Sequence, residues 1–161
     1  MLVKEKEPII IKAGEGKKMR VIGNDVTVKL ATQETGGEYY FFELITPPGV
    51  GVPPHVHSNE DEIIEVVEGE FEFFLGGQTY RVTAGSLVHF PRYVPHAFMN
   101  VGSTPGKTQW TVIPGRGFEQ FFDELGALPD GPPDLEKVAA IFATYGMNIL
   151  PPPTNDGDRG I

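Results

Sequence analysis

Residues 53–77 read PPHVHSNEDEIIEVVEGEFEFFLGG and contain two of the four histidines in this 161-residue chain. His55 and His57 are one residue apart, so in a β-strand both side chains would point to the same face. An acidic cluster follows them, and then an apolar segment that ends in Gly76-Gly77. Taken alone, the histidines leave two alternatives open: a pair of metal ligands, or two polar residues on a solvated loop after a Pro-Pro bend.

A pattern of short strands extends from this stretch over most of the chain. In the segment Glu70–Leu75, apolar residues alternate with glutamates, as in a strand with one buried face. The Gly-Gly pair after it tolerates the positive φ angles of a two-residue hairpin turn. The predicted strands are Ile9–Lys12, Met19–Ile22, Asp25–Ala31, Glu38–Thr46, Val52–Val56, Glu62–Glu68, Glu70–Leu75, Gln78–Thr83, Ser86–Phe90, Ala97–Val101 and Lys107–Ile113. Many short strands separated by turn residues predict an all-β sandwich or barrel.

The pattern becomes helical after Pro114. Four apolar residues follow the i, i+3, i+4, i+7 spacing of an amphipathic helix: Phe118, Phe121, Phe122 and Leu125. We expect Gly126 to end this helix in the left-handed conformation. Asp134 is predicted to cap a second helix, Leu135–Tyr145. We expect a single domain over residues 1–150, and an extended or disordered tail over residues 151–161, which are rich in proline, glycine and aspartate.

The composition restricts the classes of partner. The net charge of −9 and the pI near 4.8 predict a surface that repels nucleic acid and anionic lipid. No apolar run approaches the ~20 residues of a membrane span, and the first 16 residues lack the apolar region of a signal peptide. Cysteine is absent, which excludes disulfides, thiolate metal ligands and cysteine nucleophiles. We therefore expect a cytoplasmic protein that binds neither nucleic acid nor membrane.

A carboxylate and a third histidine complete a candidate metal site. The chain turns after His57 and enters another strand at Glu62, where a buried carboxylate among apolar neighbours would be costly unless it bound a cation. His96 begins a further strand after a turn bracketed by prolines. Three imidazoles and one carboxylate suit one divalent transition metal per chain, whether Fe, Mn, Co, Ni, Cu or Zn. By strand parity Glu60 is the alternative to Glu62, and we expect Glu60, like its acidic neighbours, to be solvated.

These residues resemble the two sequence motifs of the cupin superfamily, whose fold is a small antiparallel β-barrel (a double-stranded β-helix or jelly roll). The first motif matches at Gly49, His55, His57, Glu62 and Gly69, and the second at Gly85, Pro91, His96 and Asn100. Tyr93 stands where the second motif usually has glycine, which affects the turn before His96. The resemblance implies a cupin-type β-barrel with two short C-terminal helices.

A narrower resemblance concerns the segment Pro114–Gly126, which is similar to the tail of bacterial single-domain cupins related to quercetin 2,3-dioxygenases. In that group three histidines and one glutamate bind the metal, which implies His55, His57, Glu62 and His96 as ligands here. It also implies that Glu62 acts as a catalytic base on the hydroxyl of a bound enol or flavonol.

The function that this resemblance implies is a dioxygenase whose small-molecule substrate is an aromatic or enolisable hydroxy-ketone. Two alternatives stay open. The same ligands would serve a non-oxidative isomerase, cyclase or lyase, and the barrel would also serve as a small-molecule binding module without catalysis. Such barrels usually pair, so we expect a homodimer, in which the β segments before Gly36 could extend the sheet of the partner and cover an exposed edge.

Overall fold

The computed structural model describes residues 6–151, so the tail predicted over residues 151–161 lies outside them except for Pro151. Within the described residues, two antiparallel sheets contain eleven strands. The strands are β1 (Lys17–Val21), β2 (Asn24–Leu30), β3 (Tyr40–Thr46), β4 (Gly51–His57), β5 (Asp61–Glu68), β6 (Glu70–Leu75), β7 (Gln78–Thr83), β8 (Leu87–Phe90), β9 (His96–Asn100), β10 (Gly106–Ile113) and β11 (Met147–Ile149). The predicted all-β fold of antiparallel sheets is confirmed.

The order of the strands explains how distant parts of the sequence meet. One sheet has the order β1-β2-β3-β10-β5-β8, and the other has the order β11-β4-β9-β6-β7. Strands β4 and β5 follow each other in the chain but belong to different sheets, so the turn between them crosses from one sheet to the other. Strand β9 pairs with β4, and His96 lies directly opposite His55 in that pair.

Strand periodicity places the apolar side chains in the core. Alternate residues of a strand point to opposite faces, and the inward positions of both sheets are almost fully buried. The core residues from the strands include Phe42, Ile64, Val66, Phe71, Phe73, Phe90, Phe98, Trp110 and Val112. In the hairpin between β6 and β7, Gly76 and Gly77 have φ angles of 57° and 88°, as predicted for the Gly-Gly turn.

Three helices complete the described part of the chain: α1 (Thr32–Thr35), α2 (Phe118–Gly126) and α3 (Leu135–Thr144). Asp134 caps α3 as predicted, because its side chain accepts a hydrogen bond of 3.2 Å from the backbone amide of Lys137. Helix α2 buries the four apolar side chains that the spacing selected. We call α2 and α3 together the helical cap.

Two local predictions differ from the structure, and one strand was not predicted. Ile9–Lys12 is not a strand, and Ile10 is 87% exposed, because none of the described strands pairs with this apolar run. Gly126 is the last residue of α2, and the helix ends at Ala127 without a left-handed residue. Strand β11 was not predicted, since three residues are too few to show periodicity. Among residues 6–151, no helix is long and apolar enough to span a membrane.

Candidate metal centre

The four side chains predicted as ligands lie together in the barrel interior. His55 and His57 come from β4, Glu62 from the start of β5, and His96 from the start of β9. Each residue offers one ligand atom, and these four atoms lie within 4.8 Å of one another. All four residues are buried, with at most 7% of any of them exposed. The alternative of a solvated histidine pair on a loop is therefore wrong.

Backbone and side-chain acceptors orient the three imidazoles. His55 Nδ1 donates to Pro53 O at 2.8 Å, and His96 Nδ1 donates to Val94 O at 3.0 Å. His57 Nδ1 is 3.0 Å from a carboxylate oxygen of Glu60. With the proton on Nδ1 in each ring, all three Nε2 atoms present a lone pair, which is the form that binds a metal.

The free ligand atoms face one another at short distances. His55 Nε2 is 3.1 Å from His57 Nε2, and Glu62 Oε2 is 3.2 Å from His96 Nε2 and 3.7 Å from His57 Nε2. Among the described residues, Glu62 Oε2 and His96 Nε2 are the buried side-chain polar atoms without a hydrogen-bond partner. Because lone pairs repel at these distances and unsatisfied buried groups are costly, a cation in their midst would satisfy the whole set. The cluster thus fits a cupin metal site.

The ionisation of these groups suits ligation. Burial by itself would raise the pKa of Glu62, but the nearby imidazoles of His57 and His96 outweigh it and hold that pKa at about 2. Burial lowers the pKa of His55 to about 3, and the neighbouring histidines add to the effect. At neutral pH Glu62 is therefore an anion and His55 is neutral, which are the states in which both side chains bind metals.

Glu60 differs from its prediction as a solvated residue. Only 3% of it is exposed, and its carboxylate contacts the far side of the His57 ring. Burial tends to lower the pKa of His57, but the charges of Glu62 and Glu60 outweigh burial and raise it. The neighbouring Asp61 faces away from the cluster and binds the guanidinium of Arg92 at 3.1 Å. Strand parity indicated Glu60 as the alternative to Glu62, but the expectation that Glu60 is solvated is wrong.

Tyr93, which replaces the usual glycine of the second motif, keeps the turn that glycine would form. Its φ angle is +66°, in the left-handed region, and its side chain is 68% exposed. Its amide donates a 2.8 Å hydrogen bond to His57 O, which ties the turn before His96 to the first motif. The substitution therefore leaves His96 among the other candidate ligands. His89, the remaining histidine, lies exposed on β8.

An apolar pocket separates the cluster from the helical cap. The barrel contributes aromatic walls such as Phe42, Phe98 and Trp110. Helix α2 contributes Phe118, whose ring lies 6.4 Å from that of His57, and α3 contributes Phe142, 5.4 Å from that of His55. The volume of this partly open pocket is about 60 Å³. The cap therefore covers the candidate centre closely.

Comparison with known proteins agrees with this geometry. Residues 42–113 match the family model described as a cupin domain, and this range includes all four residues of the cluster. Residues 42–113 are therefore a cupin domain. Among solved structures, this cupin resembles a predicted oxalate decarboxylase from Thermotoga maritima, with a TM-score of 0.62 at 21% identity, over 65% of this chain and 98% of that one. At this identity the likeness concerns the fold alone.

Two curated relatives have different activities in their names. The cupin is 31% identical over 98 residues to quercetin 2,3-dioxygenase of Bacillus subtilis (strain 168), which is 60% of this chain and 29% of that protein. It is 29% identical over 108 residues to polyketide synthase CurC of Streptomyces cyaneus, which is 66% of this chain and 70% of that protein. The chain thus spans less than a third of the length of the Bacillus relative.

Proposed function

We propose that this cupin is a metal-dependent dioxygenase that acts on an aromatic or enolisable hydroxy-ketone such as a flavonol. The observation that carries the proposal is the convergence of three imidazole Nε2 atoms and Glu62 Oε2 beneath an aromatic pocket. Four protein ligands leave open positions on a divalent transition metal that accepts five or six ligands. The similarity to the Bacillus quercetin 2,3-dioxygenase supports the proposal, although it covers only part of that enzyme.

The residues of the centre have distinct roles in this proposal. A redox-active divalent metal, when bound, would polarise a substrate oxygen and supply electron-transfer chemistry toward dioxygen. Glu62 is ionised at neutral pH, so its carboxylate can accept the hydroxyl proton of the substrate through the oxygen that is not a candidate metal ligand. The carbonyl groups of Pro53 and Val94 hold the imidazoles of His55 and His96, respectively, in place. The aromatic walls stack on a flat substrate and exclude water from it.

The size of the pocket adds a requirement. Pockets for ligands of this class have volumes of about 300–1,000 Å³, whereas the pocket here has a volume of about 60 Å³, enough for roughly two waters. Helix α3 leads into β11, which pairs with β4, whereas α2 is held mainly by side-chain packing of its apolar face. We therefore propose that α2 moves away from the barrel to admit substrate and then closes over it.

A non-oxidative reaction, such as cyclisation of a polyketide, is the second candidate. The observation that favours it is coverage: the similarity to the Streptomyces protein extends over 70% of that protein, against 29% for the Bacillus dioxygenase. The same ligands would serve, with the metal as a Lewis acid toward a carbonyl. A homodimer and a cytoplasmic location remain predictions.

Oxygen consumption tests the proposal. Protein loaded separately with Fe²⁺, Mn²⁺, Co²⁺, Ni²⁺, Cu²⁺ or Zn²⁺ is mixed with quercetin and with simpler enolisable hydroxy-ketones in an oxygen electrode. We expect oxygen uptake with at least one redox-active metal, and a large loss of it in Glu62→Gln, which keeps the size of the side chain but removes the base. Conversion of a substrate without oxygen uptake would favour the second candidate. Absence of uptake with every metal and substrate would contradict the dioxygenase.

A further inference from the structure

The three candidate ligand histidines differ in the hydrogen-bond acceptor that contacts their Nδ1 atom. His55 and His96 each donate from Nδ1 to a neutral backbone carbonyl, of Pro53 and Val94 respectively. His57 Nδ1 instead meets the carboxylate of Glu60 at 3.0 Å, in an environment where only 3% of Glu60 is exposed. A carboxylate is a stronger acceptor than an amide carbonyl, so this contact orients the ring and increases the basicity of its Nε2.

The position of Glu60 is fixed by a part of the fold that is remote in sequence. Glu60 lies in the turn between β4 and β5, where the amide of Ser58 donates to Gly146 O at 2.9 Å. In the same turn, Asn59 Nδ2 donates to Tyr145 O at 3.4 Å. The junction between α3 and β11 therefore holds this turn from outside. The backbone thus presents Glu60 to His57 in advance of any ligand.

The charges of the centre also connect Glu60 with metal binding. Glu60 and Glu62 approach opposite sides of the His57 ring, at Nδ1 and Nε2. Two buried carboxylates beside neutral imidazoles are costly in a protein interior, but together they match the charge of one divalent cation. Glu62 supplies one charge directly, and Glu60 supplies the other through the ring of His57.

We propose that Glu60 is a positioning residue of the centre, which orients His57 and strengthens its bond to the metal without touching the metal itself. This inference rests on the metal site of the proposed function but not on the reaction assigned to it. The sequence motif does not include Glu60, and strand parity indicated it only as the alternative to Glu62.

Metal affinity measures the effect directly. Wild-type protein, Glu60→Gln and Glu60→Ala are titrated with Zn²⁺ and with Co²⁺ in competition with a chromophoric chelator. Glu60→Gln keeps the shape and can accept the hydrogen bond through its amide oxygen, so it loses mainly charge. We expect an affinity loss of about tenfold for Glu60→Gln and closer to 100-fold for Glu60→Ala. Asp61→Asn is the matched control, because it removes a neighbouring charge that binds Arg92, and we expect its affinity to stay within about twofold of the wild type.

A second readout separates positioning from a structural role. The ligand-field absorption of bound Co²⁺ should shift in Glu60→Gln and stay unchanged in Asp61→Asn. The metal-free Glu60→Gln protein should unfold at the wild-type temperature, since the substitution preserves packing, while its gain in unfolding temperature on adding metal should shrink by roughly 3–6 °C for a tenfold weaker site.

The inference fails if Glu60→Gln binds both metals with wild-type affinity and an unchanged Co²⁺ spectrum. It also fails if the metal-free variant is destabilised as much as the loaded one, because Glu60 would then only support the turn. Absence of metal binding by the wild-type protein would remove the site and the inference together. By contrast, normal affinities without oxygen uptake would overturn the dioxygenase and leave Glu60 as proposed.

Discussion

A disulfide between the helical cap and the barrel should close the pocket reversibly. A Cβ atom at Gly126, the last residue of α2, would lie 3.5 Å from the Cβ atom of Met19 on β1. Disulfides require Cβ atoms about 3.5–4.5 Å apart, and Gly126 has no positive φ angle that would oppose a side chain. The chain has no cysteine, so in Met19→Cys/Gly126→Cys the two introduced thiols have no competing partner within a chain.

Two magnitudes follow from the structure. The disulfide would close a loop of about 100 residues, for which the chain-entropy model gives up to about 4.7 kcal/mol of stabilisation. For a domain of this size that corresponds to a rise in unfolding temperature of roughly 9–19 °C. A pocket of about 60 Å³ cannot hold a chelator or a flavonol while the cap is closed. We therefore expect the oxidised form to exchange its metal at least about tenfold more slowly, a barrier increase of about 1.4 kcal/mol.

The assay measures release of metal to an excess of a chromophoric chelator, first in the oxidised double variant and then after reduction with a phosphine. Gly126→Cys alone is the control for the substitution itself. Reduction should restore the wild-type release rate and, if a substrate has been found, its turnover. Equal release rates in a fully oxidised and a reduced sample would refute the idea that the cap must move to give access to the centre.

Three further predictions concern stability. In metal-free protein, burial lowers the pKa of His55 from 6.5 to about 3, so the unfolded state takes up the proton first. The free energy of unfolding should therefore fall as the pH drops below about 6.5. Glu62, with its pKa lowered from 4.5 to about 2, should add a loss below about pH 4.5. Urea unfolding at several pH values with a chelator present checks this, and a flat profile between pH 7 and pH 4 would contradict it. Tyr93→Gly should stabilise the protein by about 0.5–1 kcal/mol, because the strain of a tyrosine in the left-handed conformation costs more free energy than the larger backbone entropy that glycine loses on folding. A lower urea midpoint in this variant would count against the prediction. Gly146→Ala should destabilise by more than the ~1–2 kcal/mol of its left-handed φ angle, since a Cβ there would meet Asn59. Gly14→Ala is the control, because Gly14 has a similar φ angle but no atom close to the added Cβ. Equal losses of stability in the two variants would show that the contact with Asn59 is unimportant.

The motif residues were predictable because strand geometry is periodic. One-residue spacing puts His55 and His57 on one face, and Glu62 shares a face with the core residues Ile64 and Val66. His96 needed the resemblance as well, since its position opposite His55 depends on the pairing of β4 with β9. The helix α2 was predictable for a similar reason, because its four apolar residues keep the helical period.

The features that the sequence did not reveal depend on tertiary contacts. Glu60 is buried because its turn docks on the junction near Gly146, and nothing in the sequence of the three-residue turn between β4 and β5 indicates this contact. The residues around Ile10 have the composition of a strand, but none of the strands within residues 6–151 pairs with them. The reverse holds for β11, whose three residues form a strand because the edge of β4 is available.

Elemental analysis of the purified protein and of His96→Ala tests the central claim most directly. The account predicts that the wild-type protein binds close to one equivalent of a divalent transition metal per chain. It predicts that His96→Ala, which removes a ligand from a different strand than His55 and His57, loses most of that metal. Full metal retention in His96→Ala, or a wild-type protein that takes up none of the six metals, would contradict a centre built from β4, β5 and β9.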